Sequence, residues 1–134
     1  MILVDAGPLV AVVDADDQHH KACVAALRQI KEPLATVWPA LTEAFYLLGD
    51  LPRGQDAIWE MMRRGAVNLL PLDAKDFPRM RELMLKYQDR GMDLADAALL
   101  RAAEREGIRK IFTVDRRDFS VYRVHDRIKL ALFP

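Results

Sequence analysis

The sequence predicts an α/β fold: a mainly parallel sheet with helices on both faces. Two observations carry that reading. Short apolar runs alternate with stretches of helical periodicity along the whole chain, and strands alternating with helices at this spacing form crossover units whose sheet is covered on both sides. No internal repeat, low-complexity segment or linker interrupts the pattern, and 134 residues fit one domain, residues 1–134, able to bury its core without staples.

Apolar periodicity and chain breakers set the elements in order. Met1–Val4 is a strand. Gly7-Pro8 turns the chain into a short helix over Leu9–Asp14, and a second helix over His19–Lys31 has Asp16 or Asp17 as its cap. Pro33 restarts the chain as the strand Leu34–Val37. Pro39 suits the first turn of a helix over Ala40–Leu48, closed by Gly49. Asp56–Arg64 forms a helix ended by Gly65, and Val67–Leu72 a strand. From the N-cap Asp73 one long helix runs to about Arg90, with Pro78 near its start. A further helix begins near Asp93 and ends before Gly107. Lys110–Val114 is the last clear core strand, with Tyr122–Val124 and Ile128–Leu132 as weaker edge strands.

Composition excludes several classes. At 51% hydrophobic and 30% charged, with zero net charge, the chain is neither disordered nor a basic nucleic-acid coat. Residues 1–72 hold 6 Lys/Arg against 9 Asp/Glu and the remainder 14 against 11, a weak asymmetry compatible with a basic rim beside an acidic pocket. The single cysteine, Cys23, makes no internal disulfide, so cytoplasm is the expected setting. No stretch approaches a membrane-spanning helix; the nearest, Pro33–Gly49, contains Glu43 and two prolines.

Four acids stand out. Asp5 is the only charge among the first thirteen residues and sits where the first strand stops. Glu43 lies inside an apolar helix, flanked at helical spacing by Pro39, Ala40, Tyr46 and Leu47. Asp96 lies in an alanine-rich helix, with Asp93 one turn earlier on the same face. Asp115 follows the strand Lys110–Val114 directly. Singly, each admits an ordinary role: Asp5 or Asp93 as a cap, Asp115 opening a turn into Arg116-Arg117, Glu43 paired with a distant arginine. Collectively they put unpaired charge into segments that read as buried, which is costly unless something neutralises it. Ligands in such sheets collect at the carboxyl ends of strands, where Asp5 and Asp115 lie. A set with oxygen ligands and no spaced histidine or cysteine is wrong for zinc and right for Mg²⁺ or Mn²⁺. Such ions favour attack of activated water on a phosphodiester.

The segments Val4-Asp5-Ala6-Gly7-Pro8-Leu9-Val10, Ala40-Leu41-Thr42-Glu43-Ala44, Leu94-Ala95-Asp96-Ala97-Ala98 and Phe112-Thr113-Val114-Asp115, with Asp118-Phe119 beyond, resemble the four signature segments of PIN-domain ribonucleases. More narrowly, they resemble the VapC-type toxins of toxin–antitoxin pairs. The likeness runs through the chain in order. It implies a PIN-like, Rossmann-like three-layer sandwich, Mg²⁺- or Mn²⁺-dependent cleavage of RNA, dimerisation and inhibition by a cognate antitoxin. Carried residue by residue, the catalytic acids fall on Asp5, Glu43, Asp96 and Asp115, with Asp5, Asp96 and Asp115 as metal ligands and Glu43 orienting the attacking water. Thr113 matches the polar residue two before the last acid, and Asp93 is left as a cap or supporting acid.

Other features carry less. His19-His20 point in different directions on a helix and chelate poorly. Cys23 reads as core. Trp38, Phe45, Tyr46 and Trp59 suit either base stacking or core and subunit contacts, and Met61-Met62 suggest a groove for an antitoxin helix. Haloacid-dehalogenase-type hydrolases need a second Asp two positions after the first, where Gly7 stands, and a receiver domain's acidic pair is not visible. The standing alternative is a catalytically inactive PIN-fold module that binds protein or RNA.

Overall fold

The computed structural model describes residues 1–134. Five parallel strands form its sheet in the order β3-β2-β1-β4-β7, where β1 is Ile2–Val4, β2 Leu34–Thr36, β3 Val67–Leu69, β4 Lys110–Phe112 and β7 Ala131–Phe133. The central strand β1 pairs with β2 through Ile2 and Leu34 and with β4 through Leu3 and Ile111. Side chains alternate across the pleat, and two cores result. Leu3, Ala35 and Ile111 face one, while Ile2, Val4, Leu34 and Phe112 face the other.

The first core is covered chiefly by α5 (Phe77–Lys86) and α6 (Leu94–Glu106). Alanines at 95, 97, 98, 102 and 103, all buried, let α6 lie close on the sheet. The second core is covered by α1 (Ala6–Val13), α2 (His20–Gln29), α3 (Trp38–Leu47) and α4 (Pro52–Arg63). This is the expected three-layer sandwich.

Chain direction decides what gathers at one sheet edge. Helices α1 and α3 begin where β1 and β2 end, and α6 leads into β4, so its amino terminus faces that same edge. Asp5, Glu43, Asp93, Asp96 and Asp115 therefore share it.

Helix α1 begins at Ala6, with Gly7-Pro8 inside it, and α4 at Pro52, each earlier than expected, and three further elements differ in kind. The helix foreseen over Asp73–Arg90 is a 3₁₀ turn (Ala74–Asp76), then α5, then a second 3₁₀ turn (Gln88–Arg90). Asp73 and Asp76 close a capping box, and Gly91 at φ 71° ends the segment in the left-handed region. The tail strand foreseen over Ile128–Leu132 is two strands: β6 (Ile128–Lys129) forms an antiparallel hairpin with β5 (Arg123–Val124), and after buried Leu130 β7 joins β4 as the fifth parallel strand. The hairpin turns through His125 and Asp126, both at positive φ. Asp115 opens a short helix, α7 (Arg116–Phe119), where only a turn was expected. Met61 and Met62 are half-buried, packed against the second core. No helix is long and apolar enough to cross a membrane.

Candidate metal and active site

Asp5 leaves β1 in extended conformation and caps α1, its Oδ1 accepting from the Ala6 N–H at 2.8 Å. Thr113, fully buried, donates its hydroxyl to Asp5 Oδ2 at 3.0 Å, and the same hydroxyl oxygen accepts the Asp115 N–H at 3.0 Å. One side chain thus ties the ends of β1 and β4 together. Thr36 does the same for β1 and β2, its hydroxyl donating to the Val4 carbonyl at 2.8 Å. Asp115 Oδ1 accepts from the Asp118 N–H, and Asp118 receives Arg90 Nε at 3.2 Å.

At the start of α6, Asp93 caps the helix by accepting the Asp96 N–H at 2.8 Å. Asp96 turns inward and Oδ2 accepts the hydroxyl of Tyr122 at 3.0 Å. Tyr122, fully buried, packs edge-on against Tyr87 and Phe119. Glu43 is half-buried and lines one cavity with Asp93.

These acids repel one another. Burial pushes the Asp5 carboxyl up to about 6 even though its two hydrogen bonds oppose the rise, and Glu43 and Asp93 add to it. Asp96 is pushed up to about 8 by burial first, then by Asp93, Asp5 and Asp115. Glu43 is raised by burial and by Asp93, and Asp115 chiefly by burial. None of the five forms an ion pair; of the three fully buried acids in the chain, Asp76 pairs with Arg101 and Arg105 and Glu104 with Arg79, while Asp5 has no cationic partner. The fold supplies arginines to neutralise buried carboxylates elsewhere and withholds them here.

That donor set fits a hard divalent cation: carboxylates alone, partly dehydrated, uncompensated and held at adjoining strand and helix ends. The oxygens are not drawn into a ready-made cage, since no three His, Cys, Asp or Glu side chains stand close enough to hold one ion as placed. Water would have to complete the shell, as Mg²⁺ favours.

Every acid singled out in the sequence reaches this edge, and Thr113 is the bridge between two of them. Sequence reasoning missed Tyr122, which sits in a stretch read as a weak strand with no local sign that its hydroxyl meets Asp96. Arg116 bonds the Pro134 carbonyl and Arg117 is exposed. The histidines form no metal site: His20 Nδ1 bonds the Ala11 carbonyl, and the His125 N–H donates to Glu104. Cys23 is buried.

Comparison with known proteins places the chain in a family and agrees with its fold. Residues 2–124 match the PIN domain. The chain is 30% identical over 125 residues to Ribonuclease VapC26 of Mycobacterium tuberculosis, covering 91% of this chain and 92% of the relative. Among solved structures, M. tuberculosis VapC20, described as a sarcin–ricin-loop-cleaving toxin, superposes with a TM-score of 0.80 at 18% identity over 87% of this chain and 92% of that one. A toxin–antitoxin complex from Klebsiella pneumoniae gives 0.68 at 18% identity, with 90% and 91% covered. VapBC2 of Rickettsia felis, solved with a promoter DNA fragment, gives 0.69 at 14% identity, with 100% of each chain covered. The chain belongs to the PIN-domain family, within it to the VapC-type toxins.

Proposed function

We propose that this protein is an endoribonuclease toxin whose Asp5, Asp96 and Asp115 hold Mg²⁺ or Mn²⁺, directly or through water. The observation that carries the reading is the group of buried and half-buried acids left without a cationic partner while every other buried acid has one. The similarity to Ribonuclease VapC26 supports ribonuclease activity, and the toxin–antitoxin complexes among the structural relatives support a cognate antitoxin as partner.

The ion, when bound, would supply charge stabilisation at the attacking and leaving oxygens of the phosphodiester and a more acidic water. The chain's own residues set the geometry. Thr113 fixes the Asp5 rotamer and the backbone of Asp115. Tyr122 occupies one oxygen of Asp96 and leaves the other free. Glu43, raised by burial and by Asp93, is suited to accept a proton from a water approaching the phosphate. Cytoplasm, where RNA is available, is the working compartment, and we expect the toxin to act as a homodimer.

The test is cleavage of structured RNA pools with Mg²⁺ or Mn²⁺ against EDTA, wild type beside Asp5→Asn. We expect loss of cleavage in EDTA and a fall on the order of a hundredfold in the variant. Cleavage that survives both would sink the metal mechanism. No cleavage by the wild type across all pools would favour a binding module instead.

A further inference from the structure

One arginine stands at the acid edge without neutralising an acid of the site. Arg90 ends the second 3₁₀ turn, directly before Gly91 and three residues before Asp93, the cap of α6. Its side chain is 31% exposed. Nε donates to Asp118 Oδ1 at 3.2 Å and Nη2 to the Arg117 carbonyl at 3.3 Å, while Nη1 has no hydrogen bond within the protein. Asp118 in turn gives its backbone N–H to Asp115 Oδ1 at 3.1 Å. One residue thus separates the guanidinium from an acid of the cluster, and the charge of Arg90 bears on Asp115. Two neighbouring arginines are occupied: Arg116 on the Pro134 carbonyl and Arg123 on the carbonyls that end α7.

We propose that Arg90 is a substrate-positioning residue, whose open guanidinium edge takes a backbone phosphate of the RNA where the strand passes Asp115. The inference rests on the ribonuclease reading and names a residue which that reading leaves idle. The pairing of Arg90 with Asp118 differs in kind from the structural pairs of the chain. Arg79 closes a two-point fork on Glu104, with Nε and Nη2 at 2.9 and 2.8 Å, on a carboxylate only 2% exposed. Arg90 gives Asp118 a single N–H at 3.2 Å, on a carboxylate 25% exposed, and keeps Nη1 free. A guanidinium is planar and matches two phosphate oxygens at once. Its two anchors fix that plane before a substrate arrives, so little side-chain entropy is lost on binding. Electrostatics supplies the need. The acids gathered at this edge repel a phosphodiester, and a cation held one residue away from Asp115 offsets the repulsion at the point of approach. Asp118 also keeps Arg90 from pairing with Asp115 itself, which would take that acid out of the site.

The test is equilibrium binding of fluorescein-labelled, random-sequence single-stranded RNA, read by anisotropy in EDTA at neutral pH across a series of KCl concentrations. The full chain carries Asp5→Asn as the parent background, so that the RNA survives. Each phosphate neutralised by a side chain adds about 0.7 to the slope of log affinity against log salt for a single strand. Arg90→Gln should make that slope shallower by about 0.7 and weaken binding at low salt about tenfold. Arg90→Lys keeps the charge and should keep the slope. Asp118→Asn separates the proposal from a purely structural role, because it breaks the same ion pair from the other side. Loss of the pair alone would weaken RNA binding in both variants. A phosphate-binding arginine freed of a competing carboxylate instead keeps the slope and binds RNA more tightly. An Arg90→Gln slope equal to the parent's, or an Asp118→Asn slope that falls with it, overturns the proposal and leaves the ribonuclease reading standing wherever the wild type cleaves RNA pools in Mg²⁺. Absence of RNA binding by the parent overturns it as well, and if the wild type is also inert on those pools the ribonuclease reading falls with it.

Discussion

Tyr122 and Asp96 meet where burial and repulsion work against ionisation, and the tyrosine hydroxyl is the one hydrogen bond that favours the Asp96 carboxylate. Tyr122→Phe should therefore shift the pH dependence of cleavage upward, because Asp96 loses that donor, and cost only about 1 kcal/mol of stability. An unmoved pH profile would show that the bond does not act on Asp96. The raised carboxyls of Asp5 and Asp96 also have a thermodynamic sign. Each binds its proton more tightly folded than unfolded, so the stability they contribute is complete below the ordinary value of 3.8 and is lost as pH rises through about 6 and about 8. For Asp5 alone the shift corresponds to about 3 kcal/mol. Asp5→Asn should consequently be more resistant to denaturant than wild type at pH 8, and Mg²⁺ should raise the midpoint of the wild type alone. Equal midpoints for the two proteins at that pH would contradict the assignment.

At the scale of elements, the site depends on how closely α1 approaches the end of β4. A Cβ added at Gly7 would lie 2.5 Å from Val114 Cγ2, closer than packed atoms tolerate, and valine has little rotamer freedom with which to yield. Gly7→Ala should cost about 1–3 kcal/mol and lower cleavage by prising Asp5 from Thr113. The double change Gly7→Ala/Val114→Ala should recover activity. A double variant no better than the single one would place the damage elsewhere. Most of these elements were legible in the sequence. Prolines and glycines bounded them, and lone acids in apolar runs marked the strand and helix ends that mattered. What was not legible was the break in α5's segment and the split of the tail. Asp76 reads as one polar residue among several, and its guanidinium partners lie 25 and 29 positions further on.

Across the whole molecule, buried acids fall into two populations. Asp76 and Glu104 are held below the usual carboxylate range: burial opposes this, but hydrogen bonds and the guanidiniums of Arg101, Arg105 and Arg79 outweigh it. Their contribution is present above the ordinary carboxylate range and lost as pH falls below it through their lowered values. Stability should thus decline on both sides of a maximum, with the acid limb due to Asp76 and Glu104 and the alkaline limb to the site acids. Denaturation midpoints from pH 3 to 9 should show Mg²⁺ flattening only the alkaline limb; an acid limb equally sensitive to Mg²⁺ would argue against this division. Asp76→Asn, which leaves Arg101 partly buried and unpaired and Arg105 with only its 3.8 Å contact to Glu106, should cost about 3 kcal/mol or more without touching Mg²⁺ affinity.

The alternation of the main strands and helices, the parallel sheet and the choice of candidate acids were legible in the sequence alone. Periodicity and the penalty for burying a lone charge are local properties, readable wherever they occur. Pairing depends on contacts distant along the chain, so only the tertiary structure decided which acids receive arginines and which repel one another. It likewise decided that Thr113 bridges Asp5 and Asp115, that Tyr122 reaches back 26 residues to Asp96, and that the last three-residue strand closes the sheet beside β4.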